Sequence, residues 1–171
     1  AEAAPGEVQK AVLVTGASTG IGRAITERLA ADGYFVYAGA RTDKDLAELN
    51  AIKNVQALRL DVTQPAEIAA AVETVTRAGR GLYGLVNNAG VAIAGPFVDT
   101  KEEDFHYVMD INVYGPYRVT RAFTPLIVAS NHASSSGSGR LRQSAADAAV
   151  SSRAASRRVQ PTPRPRSCTQ L

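Results

Sequence analysis

The stretch that decides the fold is Thr15-Gly16-Ala17-Ser18-Thr19-Gly20-Ile21-Gly22, TGASTGIG. Before it stands a short, wholly apolar run, AVLVT (11–15), of the kind that fills a strand buried on both faces. After it comes IGRAITERLAADG (21–33), with Ile21, Ala24, Ile25, Arg28 and Leu29 at helical spacing and Gly33 as a stop. A glycine-rich turn between a buried strand and a helix leaves backbone N–H groups free at the helix N-terminus. Those groups and the helix dipole favour a phosphate, and glycine permits the close approach. The spacing G-x-x-x-G-x-G differs from G-x-G-x-x-G, and with no Lys after it the turn is not a phosphate loop of the G-x-x-x-x-G-K type. Alone, the turn reads equally as a ligand cradle or as a simple connection.

Working outward, strand and helix patterns alternate. YFVYAGA (34–40) reads as a strand and DKDLAELNAI (43–52) as a helix. VQALRLDV (55–62) is a strand, and PAEIAAAVETVTRAG (65–79) is a helix with Pro in its first turn and Gly at its end. GLVNNAG (84–90) is a fourth strand running into a turn. The segment 101–129 has acids in its first turn and helical periodicity, with Pro116 and Pro125 placed to kink it or delay its start. The order β-α-β-α-β-α-β-α predicts parallel strands with right-handed crossovers: a doubly wound, Rossmann-like α/β sheet.

Beyond Ala129 the composition changes. Residues 1–129 carry 12 Lys and Arg against 15 Asp and Glu; residues 130–171 carry seven Arg, no Lys and the single acid Asp147. The net charge of +3 thus averages an acidic domain and a basic tail. The second part has ten Ser, seven Ala, no aromatic residue, and only Leu141, Val150, Val159 and Leu171 as large apolar residues. So little burial cannot offset the entropy of ordering. The expected organisation is therefore a Rossmann-type region at 1–129 and a disordered, low-complexity tail at 130–171, with a transient helix around 144–155. The tail's composition resembles out-of-frame reading of a GC-rich gene.

Other classes recede. No apolar run nears the roughly 18 residues of a membrane span, and no secretory signal pattern opens the chain. The one cysteine, Cys168, suits a reducing, cytoplasmic setting, and without Cys and His clusters no metal site is expected. Seven arginines without aromatics would give at most salt-dependent, nonspecific affinity for nucleic acid.

Three further motifs give the turn its context: DVT at 61–63, NNAG at 87–90 and NVYG at 112–115. With TGASTGIG, in this order and at these spacings, the chain resembles the short-chain dehydrogenase/reductase family from about Val8 to Ala129. The resemblance implies a nicotinamide dinucleotide as cofactor and alcohol–carbonyl interconversion as activity. It assigns the pyrophosphate and adenosine ribose to Gly16, Ala17, Ser18, Thr19, Gly20, Ile21 and Gly22, and the adenine to Asp61 and Val62. Asn88, Ala89 and Gly90 fall to the ribose on the nicotinamide side. Asn112 matches a helix asparagine that supports a proton relay; it reads equally as a polar group bonding backbone freed near Pro116.

An acid closing the second strand would hydrogen-bond a ribose 2′-hydroxyl and repel a 2′-phosphate. Here Ala40 stands where relatives that select NAD carry the acid, and Arg41 follows with a guanidinium suited to a 2′-phosphate. NADP(H) is therefore expected over NAD(H). The other reading of Arg41 is a surface charge balancing Asp43 and Asp45.

The family's chemistry also needs a Ser and a Tyr-x-x-x-Lys, whose spacing puts both side chains on one helix face. No Tyr-x-x-x-Lys occurs in these 171 residues. Tyr114-x-x-x-Arg118 and Tyr117-x-x-x-Arg121 are matched by spacing only and are expected to pack or lie at the surface. Ser136, Ser138 and His132 belong to the serine-rich tail. The expectation is an oxidoreductase by descent that keeps the cofactor half and lacks the catalytic half, with a small alcohol or carbonyl substrate only where a catalytic half is present. A nucleotide-binding remnant without turnover is the alternative. The strand order that the resemblance implies, 3-2-1-4, leaves strand 4 as an apolar edge, so a marginal or aggregation-prone domain is expected.

Overall fold

The structure, a computed structural model, describes residues 9–135. The tail from residue 136 on, with Ser136, Ser138 and the helix expected at 144–155, lies outside the described residues.

Four short strands form one parallel sheet: β1 (Ala11–Val14), β2 (Phe35–Ala40), β3 (Val55–Arg59) and β4 (Gly84–Val86), in the order β3-β2-β1-β4. The register sets Leu13 of β1 beside Tyr37 of β2 and Leu85 of β4. Each crossover carries a helix: α1 (Gly20–Ala31), α2 (Asp43–Asn50) and α3 (Pro65–Ala78). This is the doubly wound α/β architecture that the alternation of patterns predicts.

All four residues of β1 are buried, which is why its sequence is apolar without alternation. Its two faces feed two cores. Ala11 and Leu13 join Tyr37, Leu58, Ile68, Val75, Leu82, Val119 and Phe123 on one side. Val12 and Val14 join Val36, Ala38, Ala30 and Leu49 on the other, packed with Ile25 and Leu29 of α1. Complete burial of a side chain such as Phe123 stabilises the fold by about 1.5–3 kcal/mol.

The helix ends follow local chemistry. Thr42 caps α2, its hydroxyl accepting from the N–H of Asp45 at 3.2 Å. Pro65 opens α3, and Gly79, at φ +68°, closes it in the left-handed conformation.

The segment 101–129 is not one helix. After α4 (Glu102–Met109) the chain widens into a π-helical turn, Asp110–Tyr114, and then enters α5 (Gly115–Ser135). Pro116 stands in the first turn of α5, where its missing N–H costs least, while Pro125 is carried inside the helix. α5 also continues six residues beyond Ala129. Ser130, grouped with the tail on composition, lies within it and bonds the α3–β4 connection: its hydroxyl accepts from the N–H of Leu82 at 2.8 Å and donates to the carbonyl of Leu126 at 2.9 Å. Among the described residues no helix is long and apolar enough to cross a membrane.

Candidate functional site

A cleft of about 320 Å³ opens at the carboxyl ends of the strands. It lies where the strand order reverses, between β1 and its neighbours β2 and β4, the place where open α/β sheets bind ligands. Each strand contributes residues at or after its carboxyl end: the glycine turn after β1, Gly39–Arg41 at the end of β2, Leu60–Val62 after β3 and Asn88–Val91 after β4.

The turn is built tightly. Gly16 has φ +63° and Gly20 φ +55°, both in the region that favours glycine. A Cβ on Gly16 would sit 2.8 Å from the Cα of Ala89. One on Gly22 would strike the carbonyl of Gly16 and the side-chain amide of Asn88. The third glycine thus lets α1 pack against the turn. The N–H of Ala17 bonds the carbonyl of Gly39 at 2.9 Å, fixing the turn to β2.

Thr15 and Asn88 tie the turn to β4. The Thr15 hydroxyl accepts from the backbone N–H groups of Asn88 (3.1 Å) and Ala89 (3.0 Å). The Asn88 side-chain amide donates to the carbonyls of Thr15 (3.0 Å) and Gly16 (2.9 Å). Thr15 is buried, and its oxygen satisfies two part-buried backbone donors at once.

Helix α1 starts without a side-chain cap and without an acid in its first turn. By contrast, α2, α3 and α4 all carry acids in theirs. The helix that starts in the cleft therefore has an N-terminal dipole left uncompensated by its own side chains.

Of the residues singled out in the sequence, Gly16, Ser18, Thr19, Ile21, Gly22, Arg41, Asp61, Val62, Asn88, Ala89 and Gly90 all line this one cleft. Ala17 is wholly buried behind it, and neither Ala17 nor Gly20 is part of its wall. Ala40, the position read for cofactor choice, lines it too, and Gly39, Leu60, Val91 and Ile111, which no motif singles out, complete the wall. Thr15 was not anticipated either; its partners lie 73 and 74 residues away, beyond what a local pattern carries. Asp61 forms a local turn, one carboxylate oxygen accepting from the N–H (2.8 Å) and hydroxyl (2.7 Å) of Thr63.

Asn112 sits in the π-helical turn and does not line the cleft. Its side chain clamps the backbone of Val91, accepting from the N–H at 2.9 Å and donating to the carbonyl at 2.8 Å. The backbone it bonds is thus in the connection after β4, not near Pro116. Gly90 passes beneath it; a Cβ there would lie 3.3 Å from the Asn112 oxygen.

Arg41 is exposed, and its guanidinium has no hydrogen-bond or ion-pair partner among the described residues. Of the two acids a surface charge there would balance, Asp43 is paired with Arg59, and Asp45 forms no ion pair with Arg41. Tyr114, closing the π-helical turn, and Tyr117, on α5, are exposed and absent from the cleft wall. Arg118 stands 5.7 Å from the Tyr114 ring centre, and Arg121 donates to the Tyr117 hydroxyl at 3.3 Å. Among the described residues no group of three or more metal-ligating side chains gathers.

Fold and cleft together define a doubly wound α/β protein with a glycine turn at its switch point. The family model described as short chain dehydrogenase matches residues 10–153, and the chain belongs to that family. The match runs past α5 into the segment whose composition reads as tail. The chain is similar to the mitochondrial D-beta-hydroxybutyrate dehydrogenase of Rattus norvegicus, 37% identical over 138 residues, covering 74% of this chain and 39% of that one. Among solved structures it is similar to a short-chain dehydrogenase from Streptomyces avermitilis (38% identity, TM-score 0.65, 70% of this chain and 45% of that one). It also resembles an NADPH-bound carbonyl reductase from chicken fatty liver (33% identity, TM-score 0.64, 69% and 51%). The chain spans about two fifths to one half of the length of these relatives.

Proposed function

We propose that the chain is the cofactor-binding part of an oxidoreductase that interconverts alcohols and carbonyls, and that it binds NADP(H) in preference to NAD(H). The observation that carries this is one cleft uniting the uncapped N-terminus of α1 with the unpaired guanidinium of Arg41. A dinucleotide with a 2′-phosphate presents anions to both places. The NADPH-bound reductase among the structural relatives supports the same reading.

In this reading Gly16, Ser18, Thr19, Ile21 and Gly22 surround the pyrophosphate and adenosine ribose, with Ala17 and Gly20 shaping the turn from outside the wall. Arg41 holds the 2′-phosphate, and no acid at Ala40 opposes it. Asp61 and Val62 border the adenine. Ala89 and Gly90 border the ribose of the nicotinamide. Asn88 serves chiefly by fixing the turn, since its amide protons are already committed to Thr15 and Gly16. Asn112 sets the height of the Gly90–Val91 backbone. Bound NADP(H) supplies or accepts a hydride; the residues described here bind and orient it. The single cysteine supports a reducing compartment, and we place the chain in the cytoplasm.

These 171 residues contain no Tyr-x-x-x-Lys, so binding without turnover is expected of them. Fluorescence titration with NADPH and NADH, followed by assay against a panel of small alcohols and carbonyls, tests both parts. NADPH should bind at least about tenfold more tightly than NADH, a difference of about 1.4 kcal/mol. Failure to bind either dinucleotide would refute the reading.

A further inference from the structure

We propose that Arg59, which lies outside the cleft wall, is a positioning residue that sets the preference for a 2′-phosphorylated dinucleotide. The inference rests on the reading of Arg41 above and adds a residue that no sequence motif singled out.

Arg59 is the last residue of β3 and stands in register with Ala40 at the end of β2. From there its guanidinium reaches across the strand ends with both terminal nitrogens. Nη1 donates to the main-chain carbonyl of Arg41 at 2.6 Å, and Nη2 bonds the carboxylate of Asp43. One planar fork thus holds the peptide that carries Arg41 and neutralises the acid two residues beyond it.

The charges around the strand ends show what this accomplishes. Asp43 and Asp45 both stand in the first turn of α2, directly after Arg41. On the opposite wall the Asp61 carboxylate is occupied by Thr63, and Glu67 accepts the N–H of Asp61. Asp43 is the nearest acid in sequence to Arg41, and without Arg59 its carboxylate would be unpaired. It would then attract that guanidinium and repel a phosphate placed on it. With Arg59 present, Asp43 is paired, and no carboxylate among the described residues forms an ion pair with Arg41.

The pair itself adds little to folding stability, because the Asp43 side chain is 93% exposed and that of Arg59 45% exposed. Removal of Arg59 should therefore leave the fold standing and alter the field felt by a bound phosphate. A 2′-hydroxyl carries no charge and should respond little.

The test is a set of dissociation constants for NADPH and NADH, measured on the full chain and on Arg59→Met, Asp43→Asn and the double variant. Arg59→Met should weaken NADPH about fivefold, the size expected for one unscreened charge at the edge of a solvated site, and change NADH by less than about twofold. Asp43→Asn in the Arg59→Met background should restore most of the NADPH affinity, which a merely structural role for Arg59 would not allow. Should Arg59→Met fail to fold, Arg59→Gln removes the charge and keeps a donor for the Arg41 carbonyl, giving the same comparison. Equal weakening of both dinucleotides, or no rescue by Asp43→Asn, overturns the inference while the preference for NADPH stands. A native chain that does not prefer NADPH overturns the reading of Arg41 and this inference with it.

Discussion

The hydroxyl of Tyr37 is the one buried side-chain polar atom without a hydrogen-bond partner among the described residues. The ring lies in the middle of β2, wholly buried, with the edge of Phe35 5.1 Å away between ring centres. The aromatic surface favours burial, and the stranded hydroxyl opposes it by about 1–3 kcal/mol. Tyr37→Phe should therefore stabilise the chain, by about 1 kcal/mol in urea unfolding. Burial also raises the Tyr37 pKa above the ordinary tyrosine value, and nearby Arg80 opposes the rise. The unfolded chain then ionises first. The stability linked to this proton is whole below pH about 10 and is lost as pH rises through the folded value. Tyr37→Phe should lack that alkaline loss, so its advantage should widen between pH 9 and 11. A constant difference across that range would contradict the assignment. This site was not legible in the sequence: VYAG reads only as strand. Thr15 was hidden for the same reason. Its neighbours in sequence announce a turn, but what its oxygen does depends on Asn88 and Ala89. The glycines were legible because their constraint is local, a positive φ or a close approach set within the turn itself.

Elements were legible where their boundaries are local. Pro65 and Gly79 bracket α3, and Thr42 marks the start of α2. The segment after residue 101 behaved otherwise. Its helical period is continuous, so the pattern alone predicts one helix with a proline fault. The structure places the irregularity before Pro116, as a π-helical turn that carries Asn112 against Val91. The far end was misjudged by composition, because a serine-rich sequence looks like solvent-exposed chain. Ser130 is instead a fastening point between α5 and the strand-ward connection at Gly81–Leu82, where Gly81 has φ +71°. Ser130→Ala would leave the buried Leu82 without a partner for its N–H. A loss of about 1–2 kcal/mol is expected in chemical denaturation, with earlier hydrogen exchange at the start of β4. An unchanged midpoint would show that this contact does not hold α5 to the sheet.

At the scale of the whole molecule, the alternation of strand and helix patterns was enough to give parallel strands with right-handed crossovers, and the order β3-β2-β1-β4 is the one the family resemblance implies. The consequence lies at β4. It has three residues, all half-buried, and pairs only with β1 among the described residues. Its outer edge therefore presents backbone donors and acceptors beside Leu85, a side chain packed on the larger core. That edge has two costs. Leu85 stays half-buried there, and the strand is a template for pairing with another chain. The 171-residue chain is accordingly expected to unfold below about 55 °C, within or under the ordinary mesophile range. Its light scattering on heating should rise with protein concentration, as edge-to-edge association requires. Saturating NADPH should raise the midpoint, because a ligand that binds only the folded state stabilises it in proportion to the logarithm of its concentration. The glycine turn, β1 and β4 are joined through Thr15 and Asn88, so occupancy of the cleft would reinforce the same edge that is weakest. A cooperative, concentration-independent transition above 55 °C without ligand would show that β4 is protected by something other than the sheet described here.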